Sequence, residues 1–221
     1  MKNLDFDEMR QAMVRDQLIT RGISDSRVLS AFSKVPRHKF ISDEYFEASY
    51  SDYPLPIAAN QTISQPYMVA LMTERLGVKE GDRILEVGTG SGYQMAILAE
   101  LAREVYSVER AEELAHNSRI TLEGLGYKNF KIKTGDGSLG WIEHAPYDGI
   151  IVTAGAPGVP ESLLGQLKDG GRLIIPIGSY FKQVLTMVEK KNNLLTTTEV
   201  CGCVFVPLLG KEGWTNDKMD M

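Results

Sequence analysis

The chain has 221 residues, 43% of them apolar and 24% charged, with a formal net charge of −5. That length supports one substantial core, and the acidic balance argues against a protein whose main task is to hold nucleic acid by charge. No run approaches the roughly 18–20 apolar residues of a membrane span, and residues 1–8 lack the apolar centre of a signal peptide, so a soluble, cytoplasmic protein is expected.

Residues 6–48 read as helical. Met9, Met13, Gln17 and Leu18 share one face, Gly22 acts as a stop, and Ser24 or Asp25 caps a second short helix. Residues 53–66 carry three prolines and fit neither the helical nor the strand period, which predicts a long ordered loop or an edge strand. A helix follows over 67–76, with Met68 and Met72 read as core. From residue 83 onward, strands over 83–87, 104–108, 130–134, 149–153 and 172–176 alternate with helices. One helix has Tyr93, Ile97 and Leu101 on its apolar face, and the next has Leu114, Ser118, Leu122 and Leu125. This rhythm predicts an α/β protein with a mostly parallel, doubly wound sheet. Past Gly178 the pattern becomes an antiparallel C-terminal hairpin: 183–189, a polar turn at 190–193, then 194–206. The expected organisation is an N-terminal helical region and proline-rich loop, 1–77, packed on a core at 78–221 as one compact domain. Cys201 and Cys203 share a strand face but are too far apart for an easy disulfide. None of His38, His116 and His144 is spaced to join them, so they read as small core residues rather than metal ligands.

The run Ile84-Leu85-Glu86-Val87-Gly88-Thr89-Gly90-Ser91-Gly92 ends a buried strand in alternating glycines and opens a helix. Glycines let the backbone approach a ligand closely, and the helix start points free amides at it. A dinucleotide fold uses G-x-G-x-x-G. Here the spacing is G-x-G-x-G, and Tyr93 stands where the third glycine would be. That favours a cofactor without a pyrophosphate, S-adenosylmethionine, and makes Glu86, Gly88, Thr89, Gly90 and Ser91 candidates to bind it. Glu109, followed by Arg110, closes the second strand, where a carboxylate can accept hydrogen bonds from both ribose hydroxyls; the alternative is a solvated charge. Asp136 and Gly137 follow the third strand, where a polar side chain can meet the adenine amino group, although Gly-Asp-Gly is also a common turn.

With these residues placed, the chain resembles the protein-L-isoaspartate O-methyltransferase family over nearly its whole length. The most specific element is Gln61-Thr62-Ile63-Ser64-Gln65-Pro66-Tyr67-Met68. Three more segments agree: 145–157 (Ala-Pro-Tyr-Asp-Gly-Ile-Ile-Val-Thr-Ala-Gly-Ala-Pro), 167–176 (Leu-Lys-Asp-Gly-Gly-Arg-Leu-Ile-Ile-Pro), and Phe205-Val-Pro-Leu208 with Trp214 soon after. The resemblance implies a Rossmann-like methyltransferase fold with N-terminal helical additions. It also implies S-adenosylmethionine as donor, S-adenosylhomocysteine as product, and isoaspartyl peptides and proteins as partners. A monomer is expected, without nucleic acid or membrane. The resemblance assigns catalysis to Ser64, cofactor contacts to Gln61, Thr62, Ile63 and Ser64, and substrate contacts to Ile57, Ser64, Val206, Pro207 and Leu208. One departure stands just before the signature: Ala58, Ala59 and Asn60 replace the family's usual glycines and tolerate fewer backbone conformations.

The acceptor implied by the resemblance is a carboxylate, already ionised at pH 7, so no strong general base is required. The barrier is an in-line displacement at the sulfonium methyl, and the protein must align the groups and exclude water. A neutral hydroxyl such as Ser64 can orient the carboxylate without neutralising it. Ser64 before Gln65 and Pro66 also reads as a helix N-cap, and the two roles can coexist. In the family, the methyl ester closes to a succinimide, and hydrolysis returns part of it to aspartate. The signature loop, the N-terminal helices and residues 204–214 are expected to form a cleft, with backbone bonds from Phe205–Leu208 holding an extended peptide in strand fashion. Three other readings compete. A methyltransferase for bases calls for an Asp/Asn-Pro-Pro-aromatic turn after the fourth strand, where this chain has Thr153-Ala-Gly-Ala-Pro157; a small-molecule methyltransferase belongs to the same alternative. A non-catalytic cofactor-binding sensor is the second, and a nicotinamide oxidoreductase, disfavoured by Tyr93, is the third.

Overall fold

The computed structural model describes residues 4–215. Helix α1 (Phe6–Met13) starts at Asp5, whose carboxylate accepts the amides of Asp7 and Glu8 at 3.1 and 3.0 Å. It continues through a π-helical stretch, Val14–Leu18, and a 3-10 turn, Ile19–Arg21, until Gly22 turns the backbone left-handed at φ 93°. Helix α2 (Ser26–Lys34) is capped by Asp25 rather than Ser24, through the amide of Arg27 at 2.8 Å. Two 3-10 turns then lead to a small hairpin, β1 (Leu55–Pro56) and β2 (Thr62–Ile63), where the sequence allowed a loop or an edge strand. Gln61 N–H donates to Ala58 O at 3.2 Å, and Ala59 and Asn60 between them sit at φ 55° and 54°. Two left-handed central residues form the type I′ pattern of a tight hairpin. Helix α3 (Pro66–Leu76) follows and ends at Gly77, φ 69°.

Strands β3 (Arg83–Val87), β4 (Glu104–Glu109), β5 (Phe130–Thr134), β6 (Tyr147–Val152) and β7 (Leu167–Gly178) are parallel, while β8 (Gln183–Lys191) and β9 (Leu194–Cys203) close the sheet antiparallel. The seven-stranded order is β5-β4-β3-β6-β7-β8-β9. The predicted polar turn narrows to Asn192 and Asn193, both left-handed at φ 53° and 59°. Strand β9 ends at Cys203 instead of residue 206, because the Val206 carbonyl and the Leu208 amide leave the sheet to bond Gly155, each at 2.7 Å. Helices α4 (Tyr93–Ala99), α5 (Glu112–Gly124) and α6 (Glu161–Gln166) connect the parallel strands.

Alternate residues of β3 feed opposite faces, as a strand covered on both sides requires. Ile84 packs in one cluster with Met13, Leu18, Phe32, Met95 and Val105, and Leu85 in the other with Tyr106, Ile150 and Leu173. The N-terminal helices therefore share their apolar core with the sheet. Arg37, fully buried, links the N-terminal region to α4: its Nε donates to Ser49 O at 2.9 Å and its guanidinium lies 4.8 Å from the Tyr93 ring centroid. Burial pushes that guanidinium down to about 10. Among the described residues, no helix is long and apolar enough to cross a membrane. The strand order reverses between β3 and β6, and such a switch point leaves a crevice at the carboxyl ends of the strands.

Candidate active site

The glycine loop lies in that crevice. Gly88, at φ 92°, has no room for a side chain, because a Cβ there would stand 2.5 Å from Thr153 Oγ1. That hydroxyl is shared between the carbonyls of Val87 and Gly88, at 3.0 and 2.7 Å, and fixes the end of β3 to the end of β6. A Cβ on Gly92, at φ 88°, would press on Ser118 Cβ at 3.0 Å, so this glycine permits α4 to approach α5. Glu109, 7% exposed, accepts Gly90 N–H at 2.8 Å with one oxygen and Ala111 N–H at 2.9 Å with the other. Each oxygen retains a lone pair for a further donor.

Above the loop is a cavity of about 360 Å³ lined by Gln61, Thr62, Gly88, Gly90, Glu109, Arg110 and Gly137, with Val206, Pro207 and Leu208 opposite. This volume lies in the range of about 300–1,000 Å³ typical of small-molecule sites. Its chemistry fits S-adenosylmethionine: close-approach glycines, a carboxylate with free lone pairs for ribose hydroxyls, and apolar walls from Val87, Val108 and Leu208.

Of the other expected cofactor residues, Ile63, Ser64, Thr89 and Ser91 border a narrow space beside this cavity, and Glu86 and Asp136 line neither. Glu86 does not line the cavity: fully buried beneath the loop, it accepts Ser107 Oγ at 2.6 Å, and Ser107 meets Thr89 Oγ1, also at 2.6 Å. Burial pushes the Glu86 carboxyl up to about 8, with the Glu109 charge adding to the effect and Ser107 opposing it. Its role is to brace the loop through Ser107 and Thr89. Asp136 has its carboxylate turned to the protein, where Oδ1 accepts Ser138 N and Oγ at 2.9 and 2.7 Å and Oδ2 accepts Lys211 N at 2.8 Å. Gly137, not Asp136, forms that edge of the cavity.

Ser64 precedes helix α3 and lines two neighbouring spaces. The cap of α3 is Gln65, without a side-chain bond, so the capping role that spacing allowed for Ser64 is not used. Pro66 in the first turn also removes one amide that would need a partner. The Ser64 hydroxyl has no hydrogen bond among the described residues. Ser64 borders a narrow space shared with Thr62, Ile63, Thr89, Gly90, Ser91 and Phe205, and also a second cavity of about 310 Å³ that includes Arg21, Tyr67, Cys203, Val204 and Val206. Thr62 and Thr153 line the cofactor cavity, the narrow space and the second cavity alike. The signature loop, Arg21 at the N-terminal helix end and residues 204–206 line this second cavity together as one cleft, whereas residues 207–214 of the expected 204–214 segment do not.

The other substrate residues are arranged differently from the expectation. Val206 borders both large cavities, whereas Pro207 and Leu208 face the cofactor side. Several of the Phe205–Leu208 backbone groups expected to hold a peptide in strand fashion are bonded within the protein. Phe205 N–H donates to Gln183 Oε1, and Val206 O and Leu208 N are taken by Gly155, each at 2.7 Å. Ile57 lies 3.7 Å from where a Gly90 Cβ would be and lines a separate cavity with Lys39, Ser91 and Asn117. Cys201 and Cys203 are half-buried, packed against the core as expected, and also line the second cavity. Burial raises both thiols, Cys203 to about 11. Met72 is core, while Met68 reaches the cleft.

Sequence reasoning missed Thr153, Gln183 and Arg21. Thr153 sits inside the quoted Thr-Ala-Gly-Ala-Pro turn, which was a usable signal. Gln183 had none. Its buried amide donates to the nearby Ser179 O and Tyr180 O at 2.7 and 3.2 Å and accepts the N–H of Phe205, 22 residues away.

A profile of the family described as protein-L-isoaspartate(D-aspartate) O-methyltransferase matches residues 8–213. Among relatives, the protein-L-isoaspartate O-methyltransferase of Geobacter metallireducens is 52% identical over 216 residues, covering 97% of this chain and all of that one. Protein-L-isoaspartate O-methyltransferase 1 of Syntrophobacter fumaroxidans is 51% identical over 211 residues, covering 96% and 99%. A solved structure from Plasmodium falciparum, a putative member of the same family in complex with S-adenosyl-L-homocysteine, superposes with a TM-score of 0.80 at 31% identity, covering 90% of this chain and 98% of that one. A second solved protein-L-isoaspartate O-methyltransferase gives a TM-score of 0.83 at 31% identity, covering 94% and 67%. Glycine loop, sheet order and cavity together define an S-adenosylmethionine-dependent methyltransferase. Within that class the chain belongs to the protein-L-isoaspartate(D-aspartate) O-methyltransferase family, and it is a protein-repair methyltransferase.

Proposed function

We propose that the chain methylates the free carboxylate of L-isoaspartyl residues, with Ser64 orienting that carboxylate against the methyl donor. The observation that supports this reading is the Ser64 hydroxyl, without a hydrogen bond among the described residues and lining both the narrow space beside the glycine loop and the second cavity. The cofactor, when bound, supplies an electrophilic methyl on a positively charged sulfur. The acceptor arrives ionised, so the protein has only to align it and exclude water. Two opposite charges disappear as the methyl moves, and a dry, apolar junction favours such a step over its reactants. Val69, Met72 and Phe205 supply that surface beside Ser64.

Glu109 and the Gly88–Gly92 loop hold the donor, with Gln61, Thr62, Ile63 and Arg110 around it, and Val206 contacts the peptide. The ester product closes to a succinimide without further help from the enzyme. The reading includes a cytoplasmic monomer acting on proteins rather than nucleic acid. Its N-terminal region, 1–77, is packed on the 78–221 core as one domain, supported by the core that Met13 and Phe32 share with Ile84. Peptides that differ only in an aspartyl or isoaspartyl linkage test the acceptor, and Ser64→Ala tests the hydroxyl.

A further inference from the structure

Among the described residues, those lining the second cavity, the acceptor cleft of that reading, include a single charged side chain, and it is positive. Arg21, the last residue before the Gly22 stop, lines the cleft with Ser64, Tyr67 and Val204. Its guanidinium carbon lies 3.5 Å from the centroid of the Tyr67 ring, and its Nη1 pairs with Asp52. The other Asp52 oxygen accepts Tyr67 N–H at 2.9 Å. Ring and carboxylate therefore hold the cation in one place before any peptide arrives, which reduces the ordering that binding would otherwise require.

The pair is asymmetric toward the cleft. Asp52 is 19% exposed and does not line the cavity, whereas Arg21 is 44% exposed and does. A peptide in the cleft meets the cation and not its counter-ion. Nε and Nη2 of Arg21 have no hydrogen bond among the described residues, so two donors of a planar fork remain for a carboxylate. Arg21 is also absent from the narrow space where Ser64 meets the glycine loop. It therefore stands away from the carboxylate that accepts the methyl and next to the chain on one side of it.

We propose that Arg21 is a specificity-determining residue that binds a carboxylate side chain flanking the isoaspartyl residue, so that damage sites in acidic sequence are preferred to those in basic sequence. The proposal rests on the isoaspartyl reading above. A net charge of −5 on the enzyme disfavours acidic peptides at long range, and a local cation offsets this at contact.

The test uses isoaspartyl peptides with Glu, Gln or Lys one or two residues to either side of the damaged position. For each protein, the readout is the ratio of kcat/KM for Glu-flanked over Lys-flanked peptide, which cancels any effect of a variant on the common rate. Wild type is expected to favour Glu by about fivefold at one or more positions. That ratio should fall to about one in Arg21→Gln, drop part of the way in Arg21→Lys, which keeps the charge but not the fork, and shrink on raising the salt concentration. No preference or an inverted one in wild type, or the same ratio in wild type and Arg21→Gln, overturns the proposal. Failure of wild type to methylate the Gln-flanked isoaspartyl peptide instead overturns the isoaspartyl reading itself.

Discussion

Glu109 holds Gly90: across 19 positions of the chain, the carboxylate at the end of β4 accepts the Gly90 amide at 2.8 Å and so ties the second strand to the top of the glycine loop. The same carboxylate faces the cofactor cavity. Replacing Glu109 with Ala removes a ribose acceptor and frees the loop together, and hydrogen bonds to charged groups are worth about 1.5–3 kcal/mol. Calorimetric titration with S-adenosylhomocysteine should therefore show affinity reduced at least about tenfold. Unchanged affinity would remove Glu109 from the cofactor site.

Ser64→Ala separates chemistry from folding. Because Gln65 occupies the cap position and the Ser64 hydroxyl has no partner among the described residues, the stability cost should stay below about 0.5 kcal/mol, less than the ~1 kcal/mol expected for losing a functional cap. Methyl transfer should fall by about tenfold or more if the hydroxyl orients the acceptor. Thermal unfolding and steady-state kinetics on the same preparation give both values.

Ala59 lies left-handed at φ 55° in the tight turn of the β1–β2 hairpin, whose following residues Gln61 and Thr62 border the cofactor cavity. A left-handed Ala is strained by about 1–2 kcal/mol, part of which glycine returns as extra freedom of the unfolded chain. Ala59→Gly should raise stability by about 0.5 kcal/mol, read as a small increase in Tm. A decrease would show that the turn is less strained than its φ implies.

Glu86 gives a pH dependence with a definite sign. Its folded value of about 8 lies above the ordinary carboxylate value of 4.5, so the native state binds more protons than the unfolded state between those limits. The stability contributed by the neutral acid is complete below about pH 4.5 and is lost as pH rises toward 8, with a slope of at most about 1.4 kcal/mol per unit. Glu86→Gln keeps an acceptor for Ser107 and does not titrate. Denaturant unfolding at several pH values from 5 to 8 should show the variant gaining on wild type as pH rises; parallel curves would place the charged form in the fold.

Much of the fold was legible because its signals are local. Strand β3 is a short apolar run ending in glycines, and Gly22 and Asp25 carry stop and cap chemistry that depends on near neighbours. The cofactor loop was legible for the same reason. What the sequence hid depends on long-range pairing. Gly155 draws Val206 and Leu208 away from β9, which shortens the strand and uses the backbone groups expected to hold a peptide. Lys211, 75 residues away, takes the Asp136 carboxylate. Glu86 carries the same charge as Glu109 in the sequence, and only burial distinguishes a brace beneath the loop from a group in the cavity.

The most direct measurement follows methyl incorporation from labelled S-adenosylmethionine into two synthetic peptides that are identical except for an aspartyl or isoaspartyl linkage. Base-labile label in the isoaspartyl peptide alone is the predicted result. Equal label in both peptides, or none in either, would contradict the assignment of the acceptor.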